Sequence, residues 1–322
     1  MRPTAGLSIR SSRLWLRHSP MAATVNLLHQ SGNRRNPGPS WGCRAIAFWD
    51  KLLPHPIGRF ILFLGSGISV LCMPRQRKHS KAYLRLVFNR PPTFIDCWWH
   101  FFAFSESLVK KLRAARGIYD RFELDPLNSE AFNELIQSKE PALLGAFHVG
   151  QSDLMGFFLS DLNYAINMIR LKVDNSDDMN WLGQRFKDTV SFIWVNDERN
   201  LLFALKQAIE TGKSIAMKCD RIEFSSKVEF FHFLGAARKF PFTIYHLAII
   251  FKVPVLFSIG LSTEAHITRI YNSTLFRPDA GSKADNLKKA RAHFQSVLDQ
   301  LQSLLKAHPF AWFNFEPLNP TR

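Results

Sequence analysis

Short apolar runs alternate with longer amphipathic segments along the chain after residue 119. Apolar runs bounded by turn residues are typical of buried strands, and apolar residues that repeat every three to four positions are typical of helices. We therefore predict strands at 142–147, 164–171, 190–195, 213–219, 227–233, 254–259 and 265–271, and helices from about 152 and near 177–187, 201–209, 241–251 and 284–307. This order predicts an α/β fold with a mixed β-sheet covered by helices.

The segment before residue 119 predicts a different, apolar and basic helical region. Residues 60–73 are 14 uncharged residues, with Arg59 before them and Arg75 shortly after them. A straight spanning helix needs roughly 20 apolar residues. The segment is therefore predicted to lie in a membrane interface, to dip into one leaflet, or to be an ordinary buried helix. The aromatic cluster at 98–104 fits either a belt at the level of the lipid headgroups or a core helix.

These patterns divide the chain into three predicted regions. Residues 1–40 contain Arg, Ser, Pro and Gly without a hydrophobic period, and no signal peptide is evident in them. We expect a disordered basic tail over 1–40, a helical membrane-associating region over 41–118, and an α/β domain over 119–322.

Positive charge is concentrated in the N-terminal part. The formal net charge is +16, and residues 1–95 hold 15 of the 42 Lys and Arg residues against one acid, Asp50. Apolar residues lie between these charges, which favours an anionic membrane over nucleic acid as partner; a solvated tail is the other alternative. The cysteines at 43, 72, 97 and 219 have neither metal-ligand spacing nor the density of a disulfide scaffold, which favours a reducing compartment.

A histidine and an aspartate follow the strand predicted at 142–147. His148 lies at its end, and Asp153 lies where the next helix is predicted to begin. Catalytic groups are common at such positions, and Gly150 lets the intervening turn fold back. We predict that the Asp153 carboxylate holds one imidazole nitrogen, so that the other takes a proton from a hydroxyl. The alternative is that Asp153 only caps the helix and His148 only ends the strand.

Four ordered blocks resemble the lysophospholipid acyltransferase superfamily, which includes glycerolipid and bacterial lipid A acyltransferases. The His148-x-x-x-x-Asp153 box resembles its catalytic motif, and the segment ending in Asp220-Arg221 resembles a strand with an Asp-Arg ending. Residues 233–255, with a Phe-Leu-Gly turn and a following proline, are similar to lipid A-type members. Residues 309–315, with Trp-Phe-Asn-Phe, resemble the ending of the predicted bacterial acyltransferases of this group.

The resemblance implies an acyltransferase with an acyltransferase domain over 119–322. His148 would deprotonate an acceptor hydroxyl, which attacks the thioester of acyl-ACP or acyl-CoA, while Asp153 orients the imidazole. The acceptor would be a lysophospholipid, a lipid A-type glycolipid or another hydroxylated lipid, at the cytoplasmic face of a bacterial inner membrane. No predicted strand leads into a Gly-x-Ser-x-Gly elbow, and the sequence has no P-loop or dinucleotide fingerprint, so we expect no acyl-enzyme, no metal and no cofactor beyond the acyl carrier. We also expect a monomer that does not bind nucleic acid.

Several further residues are predicted to contact the substrates. Arg221 is the first candidate for a phosphate or carrier contact, and Asp220 is expected to fix the local turn. Arg238 is predicted to lie at a helix start, where anions bind well. Gly150 and Gln151 are expected to shape their turn or to donate backbone N–H groups. A solvated surface position is the alternative for the arginines.

Two positions depart from the superfamily's pattern. Phe242-Thr243 opens a predicted helix where a glycine is expected, and Lys218-Cys219 stand where small residues are usual. These departures keep a second class of function open, that of a catalytically inactive, membrane-associated lipid-binding or scaffold protein.

Overall fold

The computed structural model describes residues 40–114, 116–170, 190–195, 201–225, 227–264 and 266–321. The tail predicted over 1–40, apart from residue 40, and the helix predicted near 177–187 lie outside the described residues. The labels below count the elements of the described part in chain order.

Four helices precede the first strand, and local sequence explains several of their ends. Pro74 occupies the first helical turn of the third helix, where a missing N–H costs nothing, and Asn89 ends that helix in the left-handed conformation. Lys111 and Arg113 lie in the last turn of the fourth, where cations stabilise the helix dipole. The helices are α1 Ser40–Leu52, α2 His55–Cys72, α3 Pro74–Phe88 and α4 Phe94–Ala114.

Strands and helices then alternate through the rest of the described chain. The strands are β1 Arg121–Leu124, β2 Leu143–Ala146, β3 Ile166–Arg170, β4 Val190–Trp194, β5 Ser214–Lys218, β6 Val228–Phe233, β7 Ala236–Pro241, β8 Val255–Glu264 and β9 Ile267–Asn272. The helices are α5 Ser129–Ser138, α6 Met155–Asp161, α7 Leu201–Glu210, α8 Thr243–Phe251 and α9 Lys283–Ala307, with a short 3-10 helix at Ile222–Phe224.

Seven of these strands form one mixed sheet in the order β1-β9-β8-β2-β5-β3-β4. Every neighbouring pair is parallel except β8 and β9. The strands β6 and β7 form a separate antiparallel hairpin. The predicted α/β fold with a helix-covered mixed sheet is therefore confirmed. Because β2 has β8 on one side and β5 on the other, the residues that follow it lie at the middle of the sheet's edge.

Two strands and one α-helix of the described chain, β1, β7 and α5, are not predicted from the sequence. β1 is only four residues long and contains two charged residues, and α5 has no apolar run of its own. β7 contains Arg238, which the sequence predicts at a helix start. That prediction is wrong, because the backbone of β7 pairs with β6 as far as Pro241, and α8 begins at Thr243.

The N-terminal helices differ in how they pack. Tyr83 and Leu84 of α3, with Cys97 and Phe101 of α4, belong to the same buried cluster as the centre of the sheet and α9. The aromatic cluster at 98–104 therefore lies largely in the core, although Trp99 is 42% exposed. The division of the chain into the regions 41–118 and 119–322 stays a prediction.

In contrast, α2 leaves most of its apolar surface open. Among the described residues, it is the one helix long and apolar enough to cross a membrane: 18 residues with a mean hydropathy of 1.4, of which 17% are buried. It is therefore not an ordinary buried helix. We call the following exposed side chains of α1, α2 and α4 the apolar face: Phe48, Trp49, Leu52, Ile57, Phe60, Ile61, Leu64, Ile68, Leu71, Ile95 and Trp99.

Candidate active site

His148 and Asp220 meet because two neighbouring parallel strands end in register. Ala146 of β2 pairs with Lys218 of β5, and His148 and Asp220 each come two residues later. The imidazole Nδ1 of His148 lies 2.7 Å from Oδ1 of Asp220, and the backbone N–H of His148 donates to Oδ2 at 2.8 Å. One carboxylate thus holds both the ring and the backbone of His148.

The surroundings of Asp220 determine which imidazole nitrogen carries the proton. Asp220 is fully buried, and the indole N–H of Trp312 donates to its Oδ2 at 3.0 Å. Burial alone would raise the pKa of Asp220, but the charge of a protonated His148 and these hydrogen bonds hold the pKa below its usual range. An ionised carboxylate only accepts, so Nδ1 of His148 is the donor. The Nε2 lone pair of a neutral His148 is then free to accept a proton, on a side chain that is 29% exposed.

Asp153 does not contact His148 among the described contacts. Its Oδ2 accepts from Lys111 of α4 at 2.7 Å, and its Oδ1 lies 3.3 Å from Nζ of Lys218. The predicted contact between Asp153 and the imidazole is therefore wrong. The carboxylate that touches His148 is Asp220, which we had expected only to fix a turn.

Backbone geometry explains why Asp153 is directed elsewhere. Residues 151–154 form a turn, and α6 begins only at Met155 with Leu154 as its N-cap, so Asp153 caps no helix either. The turn carries the carboxylate towards α4 and β5. There the ammonium of Lys111 holds the pKa of Asp153 well below its usual range, with smaller help from Lys218.

Lys218 ties this turn to the end of β2. Besides Asp153, its Nζ donates to the carbonyl oxygen of Phe147 at 3.2 Å and to the hydroxyl of Ser152. Burial lowers the pKa of Lys218, and Asp153 and Asp220 oppose that shift. Position 218, where a small residue is usual, therefore carries a lysine whose ammonium group fixes the turn.

Gly150 and Gln151 shape the turn and do not offer backbone donors. The N–H of Gly150 donates to Ala311 at 2.7 Å, and the N–H of Gln151 donates to Gly260 at 2.8 Å. Gly150 has a φ of +52°, and a Cβ there would lie 2.2 Å from the carbonyl oxygen of Gly260. Of the two expected roles, the structure agrees with the shaping of the turn. At position 150 that shape requires glycine.

The two predicted anion-binding arginines lie beside the Asp220 strand end. Arg221 directly follows Asp220, and Arg238 donates from Nη1 to the carbonyl oxygen of Asn319 at 3.3 Å. Asn319 in turn donates to the carbonyl oxygen of Asp220 at 2.9 Å. In both arginines, Nε is buried and has no hydrogen-bond partner among the described residues. Burial also lowers the pKa of Arg238.

The chain after α9 packs against the site in a way that the sequence analysis missed. The N–H of Phe313 donates to the carbonyl oxygen of His148 at 2.8 Å, and Val149 pairs with Trp312 in an antiparallel bridge. One signal pointed to Asp220 in advance: the strands predicted at 142–147 and 213–219 are followed by His148 and Asp220 at equal offsets. No sequence signal placed the C-terminal segment there.

The described residues contain no group of three or more His, Cys, Asp or Glu side chains placed to hold a metal ion. In the described part of the chain, Cys72, Cys97 and Cys219 are free thiols.

The site and fold together define an α/β protein with a histidine–aspartate pair at the carboxyl edge of its central strand. No family model matches the chain, and no curated protein matches it. Among solved structures, the 1-acyl-sn-glycerophosphate (LPA) acyltransferase PlsC from Thermotoga maritima is similar, with a TM-score of 0.39 and 13% sequence identity. The match covers 78% of this chain and 98% of that one. At this level of similarity the comparison assigns no function.

Proposed function

We propose that this protein is an acyltransferase, which moves a fatty acyl group from an acyl thioester to a hydroxyl of a lipid acceptor at a membrane surface. The observation that carries the proposal is the His148–Asp220 pair, which leaves Nε2 without a partner among the described residues, on a partly exposed imidazole. The resemblance of the four sequence blocks to lysophospholipid acyltransferases supports acyl transfer over other general-base chemistry.

The proposed reaction is a direct transfer. His148 Nε2 takes the proton of the acceptor hydroxyl as its oxygen attacks the thioester carbonyl carbon. The tetrahedral intermediate collapses, the carbon–sulfur bond breaks, and the thiolate takes the proton from Nε2 and leaves as a thiol. Asp220 holds Nδ1–H and stabilises the imidazolium between the two steps. General-base assistance of this kind is worth about a hundred- to ten-thousand-fold in rate.

Arg221 and Arg238 are the proposed contacts for a negatively charged part of a substrate. Their position beside the Asp220 strand end supports this assignment, because guanidinium groups bind phosphate and carboxylate oxygens well. Arg221→Gln and Arg238→Gln are expected to raise KM for an anionic acceptor or donor more than they lower kcat.

Membrane attachment is proposed through the apolar face. Its exposed side chains are accompanied by the exposed basic residues Lys51, Arg59, Arg75 and Lys78, a combination that binds anionic bilayers. The cytoplasmic face of a bacterial inner membrane stays a prediction.

Vesicle sedimentation tests this attachment. The variant Phe60→Ser/Leu64→Ser is expected to lose most binding to vesicles that contain phosphatidylglycerol, because it removes exposed apolar surface from α2. The matched control is Leu127→Ser/Ile250→Ser, which changes two apolar residues elsewhere that are at least as exposed. Equal binding of both variants would contradict the proposed attachment.

The function itself is tested by incubating purified protein with labelled acyl-ACP or acyl-CoA and a lipid extract, and by finding which lipid gains an acyl group. Wild-type protein and the control His232→Ala are expected to transfer the label, since His232 is exposed and, among the described residues, hydrogen-bonds through its backbone alone. His148→Ala is expected to lose transfer while it remains folded. Unaltered cellular function of His148→Ala, with no transfer by the wild type, would favour the inactive scaffold instead.

A further inference from the structure

Trp312 is buried against the carboxylate that holds His148. Its side chain is 2% exposed, and its indole Nε1–H donates to Oδ2 of Asp220 at 3.0 Å. The rings of Tyr83 and Phe233 meet the indole edge-on, at centroid distances of 5.1 and 5.7 Å. Edge-to-face packing against these two rings restricts the indole, whose N–H is directed at Asp220.

The backbone of Trp312 is fixed just as firmly. Its carbonyl oxygen lies 2.8 Å from Nε2 of His100, and Nδ1 of His100 lies 2.8 Å from the hydroxyl of Ser80. Burial lowers the pKa of His100 to about 4, so this imidazole is neutral near pH 7. Because a carbonyl only accepts, Nε2 of His100 carries the hydrogen, and the Ser80 hydroxyl donates to Nδ1. A directed chain therefore runs from Ser80 through His100 and Trp312 to Asp220.

Asp220 distributes its two oxygens between different groups. Oδ2 accepts from the indole of Trp312 and from the backbone of His148, and Oδ1 faces the imidazole. Without the indole, Oδ2 would lose one of its two donors in a site without water access to Asp220, which is fully buried. The carboxylate could then rotate and let the imidazole leave its position.

We propose that Trp312 is a positioning residue for the general base: its indole N–H fixes the Asp220 carboxylate, which in turn fixes the tautomer and orientation of His148. This inference rests on the proposed acyl transfer. It assigns a role to the Trp-Phe-Asn-Phe block, in which Trp312 acts through Asp220 and touches no substrate.

The test is Trp312→Phe, which keeps an aromatic ring and removes the indole N–H. We expect kcat to fall about 10- to 100-fold, the usual effect of removing one hydrogen bond to a charged group, with KM changed less than about twofold. The control is Trp98→Phe, which removes an indole N–H that donates to Phe63 and Ser66, away from Asp220. The control is expected to keep kcat.

A double-mutant cycle separates positioning from packing. If Trp312 acts through the carboxylate, Trp312→Phe should change kcat less than about twofold once Asp220 is already Asn. An equal loss of kcat in the Asp220→Asn background would show that the indole acts by packing alone and would overturn the inference.

A spectroscopic reading distinguishes failure of this inference from failure of the proposed function. If wild-type protein transfers no acyl group from any donor, the proposed function fails. The low-field proton resonance of His148 Nδ1–H can still be compared in the resting protein. Trp312→Phe should displace or broaden it and Trp98→Phe should not; an unchanged resonance in Trp312→Phe would refute the positioning role.

Discussion

Two carboxylates lie close to His148: Asp153 is close along the chain, and Asp220 is close in space. Their surroundings differ in burial and in the groups that bind them. Asp220 is fully buried and accepts from three N–H groups, two of His148 and one of Trp312. Asp153 is 40% exposed at its side chain and lies between the ammonium groups of Lys111 and Lys218. The first carboxylate is bound to the candidate base, and the second is bound to structural cations.

The register of the sheet therefore decides which carboxylate pairs with His148, whereas spacing along the chain does not. His148 and Asp220 are 72 residues apart, but their parallel strands bring them to the same point of the sheet's edge. Asp153 is five residues from His148, but the turn at Gly150 directs it to α4. A spacing motif therefore marks the neighbourhood of the base without identifying its partner.

The largest expected effect comes from removing each carboxylate in turn. Asp220→Asn is expected to lower kcat for acyl transfer about 1,000- to 10,000-fold, because an amide can hold the imidazole in the wrong tautomer. Asp153→Asn is expected to lower kcat about tenfold or less, since it only loosens the turn. Steady-state kinetics of the two variants, with unfolding curves as the control for folding, measure both effects. A larger loss for Asp153→Asn would reverse the comparison.

The turn that separates the two carboxylates can be broken at Gly150. Gly150→Ala places a Cβ against the Gly260 carbonyl in a left-handed conformation, and we expect it to reduce the free energy of unfolding by about 2–5 kcal/mol. Gly212→Ala is the matched control: Gly212 also has a positive φ, of +78°, but its Cβ would meet nothing within 4 Å. We expect that control to cost about 1 kcal/mol. Chemical denaturation measures both, and equal losses would show that the close approach at Gly150 does not matter.

The buried hydrogen-bond chain behind Asp220 should also make the stability of the protein depend on pH. His100, behind Trp312, has a folded pKa of about 4 against 6.5 in an unfolded chain, because burial disfavours its charged form. The unfolded state therefore binds the proton first, and stability is lost as the pH falls from about 6.5 to 4, by up to about 3 kcal/mol. At higher pH, the His100 imidazole is neutral in both the folded and the unfolded state, and its effect on stability is absent.

The variant His100→Gln isolates this contribution. Its free energy of unfolding, measured by denaturant at pH 7 and pH 4.5, should fall less with acid than that of the wild type. Parallel losses of stability in the two proteins would show that His100 is not held neutral by burial.

The sequence predicted the regular elements better than it predicted the site. β2, β5 and β8 were predictable because their buried apolar runs are bounded by turn residues, and α9 because its apolar period continues over 25 residues. β1 and β7 were missed, since their charged residues hide the strand pattern and only pairing with a neighbour makes them strands. Periodicity describes one segment at a time and carries no information about which segments become neighbours.

The same reason separates what was predicted of the site from what was not. Local sequence suffices to place His148 just after the end of a strand, as the structure has it. Its pairing with Asp220 depends on the order of strands in the sheet, and its support by Trp312 depends on where the chain after α9 returns. Lys111 reaches Asp153 from a helix of the N-terminal region, at a sequence separation of 42 residues. Long-range contacts of this kind leave no local pattern.

The pairing of His148 with Asp220 is tested most directly on the proton of His148 Nδ1, which is observed as a low-field resonance in the proton spectrum of protein labelled with ¹⁵N-histidine. His148→Ala assigns the resonance by removing it. If Asp220 holds the imidazole, the resonance persists in Asp153→Asn and is lost or strongly displaced in Asp220→Asn. A resonance that disappears in Asp153→Asn and remains in Asp220→Asn would contradict the pairing of His148 with Asp220.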